Sequence, residues 1–191
     1  MILLVGKSAA GKDTVAERLE ERGFHSVISH TTRPRRGADD VRHVFVGDDE
    51  ADVLIRDAVA TTTINGYRYF ATADDMRAAD VYVIDPNGVD ELLANLPDME
   101  FRIVYIDADD AERRRKAISR ADDPEEAARV FDKRDADESP EFDAFRRRIT
   151  LAVTDGCEEA GFPKNVTGFA ICRNGYRPED IDRIAIAATE G

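Results

Sequence analysis

The residues with the most recognisable chemistry lie at the start of the chain, which begins MILLVGKSAAGKDT. The run GKSAAGK, from Gly6 to Lys12, has the spacing of a phosphate-binding loop. Small residues let backbone N–H groups approach a polyphosphate closely, and the N-terminus of a following helix adds positive potential. Lys12 can then reach the outer phosphates as a point charge. The candidate phosphate-binding residues are Gly6, Ser8, Ala9, Ala10, Gly11, Lys12, Asp13 and Thr14.

The segments on either side of this loop supply the strand and the helix that the motif requires. Residues 1–5 form an unbroken apolar run, which suits a strand buried on both faces. Residues 14–22 carry Val15 and Leu19 on one helical stripe, and Gly23 follows as a stop signal. The alternative is a tight glycine turn between a strand and a helix, which would not need the lysine.

Asp13 departs from the motif, because this position usually holds a Ser or Thr that binds magnesium. Carboxylates suit this hard cation. We therefore expect Asp13 to act at a magnesium site, either directly or through a water molecule.

A second cluster of chemically suitable residues occupies 29–37, which reads SHTTRPRRG and groups three hydroxyls with three guanidiniums. Arginine forks bind phosphate bidentately, and hydroxyls complete the oxygen coordination. The alternative is a solvated basic loop that offsets an acidic surface. Its combination with a phosphate-binding loop favours phosphate recognition.

Composition limits the classes of partner. The 191 residues include 40 Asp and Glu against 27 Lys and Arg, for a net charge of −13, which argues against general binding to nucleic acid or anionic membranes. The apolar runs are far shorter than the roughly 18 residues of a membrane span. We expect one cytoplasmic domain, monomeric or homodimeric. The acidity fits either a salt-rich cytoplasm or a high-GC genome.

Apolar patterning alternates between strands and helices, which predicts the α/β class. The predicted strands are 1–5, 24–29, 43–46, 67–71, 80–84, 102–106 and 168–172. The predicted helices are 12–22, 48–59, 73–79, 88–96, 109–120, 124–135, 138–154 and 179–188.

Two segments differ in amino-acid composition from the rest of the chain. Residues 29–73 are rich in Thr, Arg and short strands, which predicts an insert with its own small sheet. Residues 111–137 carry arginines and acids at helical spacing, which predicts a charged, mobile helical lid. The predicted core of the domain is 1–28, 74–110 and 138–191.

The motifs together resemble those of guanylate kinases. ISHTTRPRRG followed by VRHVFV is similar to the family's segment for binding a nucleoside monophosphate. GYRYFAT, VYVIDPNGVDEL, RKAISRADDPEE and FAICRN resemble later family segments in the same order, across nearly the whole chain. The resemblance implies a P-loop NTPase fold with a three-layer parallel sheet, an acceptor-binding insert and a helical lid. It also implies ATP and Mg²⁺ as cofactors.

The resemblance assigns roles to individual positions of this chain. Lys12 and the loop would hold ATP phosphates, and Asn174 would lie near the adenine. The acceptor's phosphate would be bound by Ser29, Arg33, Arg36 and Tyr69, with His43 in place of a family tyrosine. Asp85 would lie near the base or join Asp13 at the metal. The lid would bring Arg120 and Arg129 onto the migrating phosphoryl group, with Arg134 as a substitute.

Several positions depart from the guanylate kinase pattern and leave the identity of the acceptor undecided. The family's guanine-reading glutamate and serine fall on Ala60 and Ala71. Asp13 and His43 are also features of a resemblance to ribose 1,5-bisphosphate phosphokinase, which has a G-K-D loop and a histidine near the position of His43. The sequence G-K-D-T is similar to the loop of phage-type deoxynucleotide kinases. GMP to GDP is the first expectation, with these two kinases as alternatives. A non-catalytic binding module is the alternative of another class.

Overall fold

A computed structural model describes residues 1–38, 40–64 and 66–190. Its eight strands are β1 (Ile2–Val5), β2 (Ser29–Thr31), β3 (His43–Phe45), β4 (Ala58–Ile64), β5 (Tyr67–Thr72), β6 (Val81–Val83), β7 (Phe101–Asp107) and β8 (Val166–Arg173). Its seven α-helices are α1 (Lys12–Glu20), α2 (Asp48–Leu54), α3 (Ala73–Arg77), α4 (Pro86–Asn95), α5 (Asp110–Ser119), α6 (Pro124–Asp155) and α7 (Pro178–Thr189), with a 3₁₀ turn at Ile55–Asp57.

The main sheet has four parallel strands in the order β6-β1-β7-β8. Alternate residues of β1 enter different cores: Leu3 packs with Leu92 of α4 and Ile149 of α6, and Leu4 packs with Leu19 of α1 and with α7. Every residue of β1 is therefore buried, as expected for a parallel strand covered on both faces. These three layers confirm the predicted α/β fold with helices on both sides of a parallel sheet.

A second sheet, in the order β3-β2-β5-β4, lies within residues 29–72. Its β2 and β3 are parallel, whereas β5 runs antiparallel to both β2 and β4. Phe70 of β5 is fully buried against Val46 and Ala51, which gives this sheet a small core of its own. The sheet places the basic segment after β2 next to β3 and β5.

Two predicted boundaries in this region are wrong. The predicted strand 24–29 contributes only an isolated bridge between Ser26 and Val81, and regular pairing begins at Ser29. The predicted helix 48–59 ends at Leu54, and β4, which was not predicted, follows the 3₁₀ turn. The Thr-rich sequence of β4 suits a strand, because β-branched residues pack well against a neighbouring strand.

The predicted helices 124–135 and 138–154 form one continuous helix, α6, with Pro140 inside it. A proline inside a helix removes one intrahelical hydrogen bond and disfavours its continuation. Phe142, Phe145 and Ile149 are buried in the main core directly after it, so packing holds the helix across the proline. Across the described residues, no helix is long and apolar enough to cross a membrane.

Candidate active site

Two glycines of the phosphate-binding loop are required by close approach of neighbouring groups. A Cβ on Gly6 would lie 2.5 Å from the carbonyl oxygen of Ile106 at the end of β7. A Cβ on Gly11 would lie 2.4 Å from Nδ2 of Asn174, and Gly11 has a φ of +95°. Larger residues are excluded at both positions, so the loop packs tightly between β1 and α1.

Lys12 is the first residue of α1, and its side chain folds over the loop. Its Nζ donates to the carbonyl oxygens of Gly6 at 2.6 Å and Lys7 at 3.1 Å. Burial lowers the pKa of Lys12, with the nearby Asp13 and Glu138 carboxylates acting in the opposite direction. A desolvated ammonium group at a helix N-terminus is strongly attracted to a phosphate.

The loop already binds an anionic group of the protein itself. The backbone N–H of Ser8 donates to Oε1 of Glu138 at 2.5 Å, and the Ser8 hydroxyl donates to Oε2 at 2.9 Å. Arg134 Nε lies 3.3 Å from the same carboxylate. Because a carboxylate offers the same kind of acceptor oxygens as a phosphate, this contact marks an anion-binding position. A bound phosphate must compete with Glu138 there.

The predicted phosphate-binding residues of the acceptor side meet on the second sheet. Ser29 of β2 and His43 of β3 are paired in register, and Ser29 Oγ and His43 Nδ1 share a hydrogen bond of 3.0 Å. The His43 ring packs edge-on against Tyr69, with centroids 5.5 Å apart. Burial, followed by the charge of Arg33, lowers the pKa of His43, which favours the neutral imidazole.

Arg33 is 8% exposed and carries a bidentate ion pair. Its Nη1 and Nη2 donate to the two Asp40 oxygens at 2.8 and 3.2 Å, and the Arg36 backbone N–H donates to Asp40 at 3.0 Å. The Arg33 guanidinium holds the pKa of Asp40 well below its usual range, so the carboxylate stays charged. Asp40 thus fixes the Arg33 fork, while the exposed Arg36 side chain remains on the cleft wall.

One cleft of about 730 Å³ connects the two clusters. The predicted site residues on its wall are Ser8, Ala9, Lys12, Asp13, Ser29, Arg33, Arg36, His43, Tyr69, Asp85 and Arg134. Those that the described structure places away from the wall are Gly6, Ala10, Gly11, Thr14, Arg120, Arg129 and Asn174. Gly6, Ala10 and Gly11 still shape the loop, whereas Arg120 and Arg129 are exposed to solvent.

Asn174, which the resemblance placed near an adenine, lies behind the loop and is 2% exposed. Its Nδ2 donates to the Ala10 carbonyl at 2.8 Å, and its Oδ1 accepts from the Tyr176 backbone N–H at 2.7 Å. Both ends of the amide are therefore occupied in holding the loop. A role in adenine recognition stays a prediction.

The two predicted metal ligands, Asp13 and Asp85, both line the cleft. Asp85 is also the N-cap of α4, where its Oδ1 accepts from the Gly88 N–H at 2.8 Å. Among the described residues, no three His, Cys, Asp or Glu side chains are grouped to hold a metal ion. This donor set fits Mg²⁺ bound through one or two carboxylates with phosphate and water oxygens, and not a metal held by protein alone.

Comparison with known proteins identifies a family and two similar proteins. Residues 2–139 match the protein family described as an AAA domain. The chain belongs to this family. A guanylate kinase of Anaeromyxobacter dehalogenans is 31% identical to it over 141 residues, covering 68% of this chain and 62% of that protein. The crystal structure of guanylate kinase from Anaplasma phagocytophilum is similar with a TM-score of 0.57 at 18% identity, covering 98% of this chain and 84% of that one.

The predicted resemblance to guanylate kinases is thus confirmed by the sequence of one guanylate kinase and by the fold of another. The matched region spans less than two thirds of the curated relative's length. The fold with its four-stranded parallel sheet is shared with the solved guanylate kinase.

Four residues at the site were not predicted from the sequence: Asp40, Arg113, Glu138 and Tyr176. Arg113 is fully buried, but it stands beside Arg114 and Arg115 in a run of three arginines. No local pattern separates the buried arginine from its exposed neighbours. Only the packing of α5 against α6 does so.

Proposed function

We propose that this protein catalyses ATP-dependent phosphoryl transfer to a small phosphorylated acceptor, with GMP converted to GDP. The observation that carries the proposal is the shared cleft, which has Lys12 and the loop on one wall and Arg33, Arg36 and Tyr69 on another. An ATP phosphate chain at the first wall and an acceptor phosphate at the second would face each other. Kinase chemistry needs this positioning together with neutralisation of the charge on the migrating phosphoryl group.

The residues divide the work of transfer between them. Lys12 and the loop N–H groups would hold the ATP phosphates, and Mg²⁺ near Asp13 would neutralise charge on them. Arg33, Arg36 and Ser29 would hold the acceptor's phosphate. The attacking oxygen belongs to that phosphate and is already anionic, so no general base is required. Residues 29–73 would act as the acceptor-binding insert and 111–137 as the lid that excludes water.

Two paired alanines stand where the resemblance to guanylate kinases places base-reading side chains. Ala60 of β4 is opposite Ala71 of β5, and Ala60 lines the cleft. Methyl groups cannot hydrogen-bond a base edge, and the nearby Thr61 hydroxyl already contacts Glu91 at 2.9 Å. We therefore expect weak base selectivity. The missing base-reading side chains also support ribose 1,5-bisphosphate, which has no base, as a second candidate acceptor. Its phosphate would use the same arginines.

A coupled assay of ADP release tests the proposal with GMP, dGMP, AMP, CMP, UMP, dTMP and ribose 1,5-bisphosphate at equal concentrations. We expect GMP to be the best acceptor, with a preference over AMP below about a hundredfold, because two base-reading hydrogen bonds are missing. A larger preference would contradict the role given to Ala60 and Ala71. Activity on the sugar alone would favour the second candidate, and no ADP release with any acceptor would favour a binding module.

Arg36→Ala should raise KM for the acceptor about 10- to 100-fold, since a charge-assisted contact to phosphate is worth about 1.5–3 kcal/mol. KM for ATP should not change, because Arg36 lies on the acceptor wall. Arg35→Ala is the matched control: this neighbouring arginine packs over the Phe45 ring at 4.6 Å. Equal effects of the two substitutions in steady-state kinetics would contradict the assignment.

A further inference from the structure

Three consecutive carbonyl groups of the phosphate-binding loop accept hydrogen bonds from side chains outside the loop. The bonds run from Arg113 Nη1 to Ser8 O at 3.0 Å, from Tyr176 Oη to Ala9 O at 2.7 Å, and from Asn174 Nδ2 to Ala10 O at 2.8 Å. We call these three side chains the loop brace. They come from α5 and from the segment between β8 and α7.

Holding a carbonyl also sets the direction of the next N–H group. The described peptide bonds are all trans, and in a trans peptide the C=O and the following N–H point in opposite directions. The brace therefore turns the N–H groups of Ala9, Ala10 and Gly11 away from itself. The Ala10 N–H is used within the loop, on the Lys7 carbonyl at 3.1 Å. Among the described residues, no such hydrogen bond within the loop uses the N–H groups of Ala9 and Gly11, which the brace orients.

The loop backbone needs outside support at this point. Ala9 has a φ of +61°, which is unfavourable for a residue with a Cβ. A strained conformation persists only when surrounding contacts over-determine it. The Tyr176 hydroxyl binds the carbonyl of this same residue. The brace thus acts where the backbone would otherwise relax.

The brace residues are themselves firmly held. Arg113 is fully buried and pairs with Asp110 at 2.7 Å and with Asp135 of α6 at 2.6 Å. Asn174 accepts the Tyr176 backbone N–H, which links two of the three members. Burial raises the pKa of Tyr176 to about 12, so its hydroxyl remains a donor at neutral pH.

We propose that Tyr176, Asn174 and Arg113 are positioning residues that preorganise the loop N–H groups for a triphosphate, and so determine affinity for the phosphate donor and not for the acceptor. The inference rests on the proposed function of the loop. Preorganised donors bind a phosphate without first paying to become ordered, so loosening them weakens donor binding selectively.

Tyr176→Phe is the sharpest test, because it deletes one oxygen and keeps the ring under Lys116 Nζ, which lies 5.4 Å from the centroid. We expect Kd for inorganic triphosphate, measured by calorimetry, and KM for ATP to rise about fivefold, as for loss of one neutral hydrogen bond. KM for the acceptor should stay unchanged, and the melting temperature should fall no further than in a control variant that loses a comparable hydrogen bond. A merely structural role would leave the ratio of the two KM values intact.

Tyr105→Phe is the matched control, because the Tyr105 hydroxyl also donates to a backbone carbonyl, that of Phe142 at 3.4 Å, and not to a carbonyl of the loop. It should leave triphosphate binding unchanged. Asn174→Ala removes two bonds and should weaken triphosphate binding more than Tyr176→Phe does. If Tyr176→Phe binds triphosphate as the wild type does, or no more weakly than Tyr105→Phe, the brace is overturned. A wild-type protein that binds neither ATP nor triphosphate overturns the proposed function as well.

Discussion

Lys12→Ala is expected to lower kcat at least about a hundredfold in a protein that remains folded, because a charge is lost where transition-state charge develops. The Lys12 ammonium lies over the loop, within 3.1 Å of two of its carbonyl groups, and lines the cleft together with Arg33 and Arg36. No other lysine lines this cleft in the described part of the chain. Steady-state ADP release with saturating ATP and acceptor measures the effect.

Lys7→Ala is the matched control for this experiment. Lys7 belongs to the same loop, but its Nζ pairs with Asp143 at 2.8 Å and is directed to α6. We expect its removal to change kcat less than about fivefold, the size of one surface ion pair. Near-normal turnover of a folded Lys12→Ala protein, or similar losses in both variants, would contradict the role of Lys12.

The loop and the core sheet could be predicted because their signals are local. The spacing of Gly6, Gly11 and Lys12 requires a tight turn beside a helix N-terminus, and the apolar run at 1–5 requires a strand covered on both faces. The structure shows both features, with a Cβ excluded at the two glycines. The basic segment 29–37 could also be placed near the site, since its residue types suit phosphate.

Other elements could not be predicted because packing decides them. Helix and strand patterns are ambiguous over short runs, so the first two residues of β4 were assigned to the end of a helix and the rest to no element. The sequence predicted two helices, 124–135 and 138–154, but contacts of Phe142 and Phe145 with the core hold α6 as one helix across Pro140. There, tertiary contacts outweigh the local propensity of proline.

The side chains that hold the loop are the hardest to find from the sequence. Glu138 contacts Ser8 from 130 residues away, and Arg113 and Tyr176 reach the loop across 105 and 167 residues. No spacing rule covers such separations. These contacts follow from the arrangement of α5, α6 and the end of β8 around the loop.

The second large effect is expected for one arginine of the predicted lid, because Arg134 lines the cleft and Arg129 does not. Arg134→Ala is expected to lower kcat about a hundredfold or more with a smaller change in KM for ATP, as for an arginine that contacts the migrating phosphoryl group. Arg134 lines the cleft, and its Nε lies 3.3 Å from the Glu138 carboxylate that occupies the anion position at Ser8. A phosphate that displaced this carboxylate would meet the same guanidinium.

Arg129→Ala is the comparison variant: the resemblance also places Arg129 on the migrating phosphoryl group, but this side chain is exposed and pairs with Glu126 at 3.3 Å. A surface pair of this kind contributes about 0–1 kcal/mol, so its removal should change kcat less than about fivefold. Single-turnover measurements with saturating ATP separate the chemical step from product release. Equal losses in the two variants, or a loss in ATP affinity that matches the loss in kcat, would show that Arg134 supports the helix and does not act on the phosphoryl group.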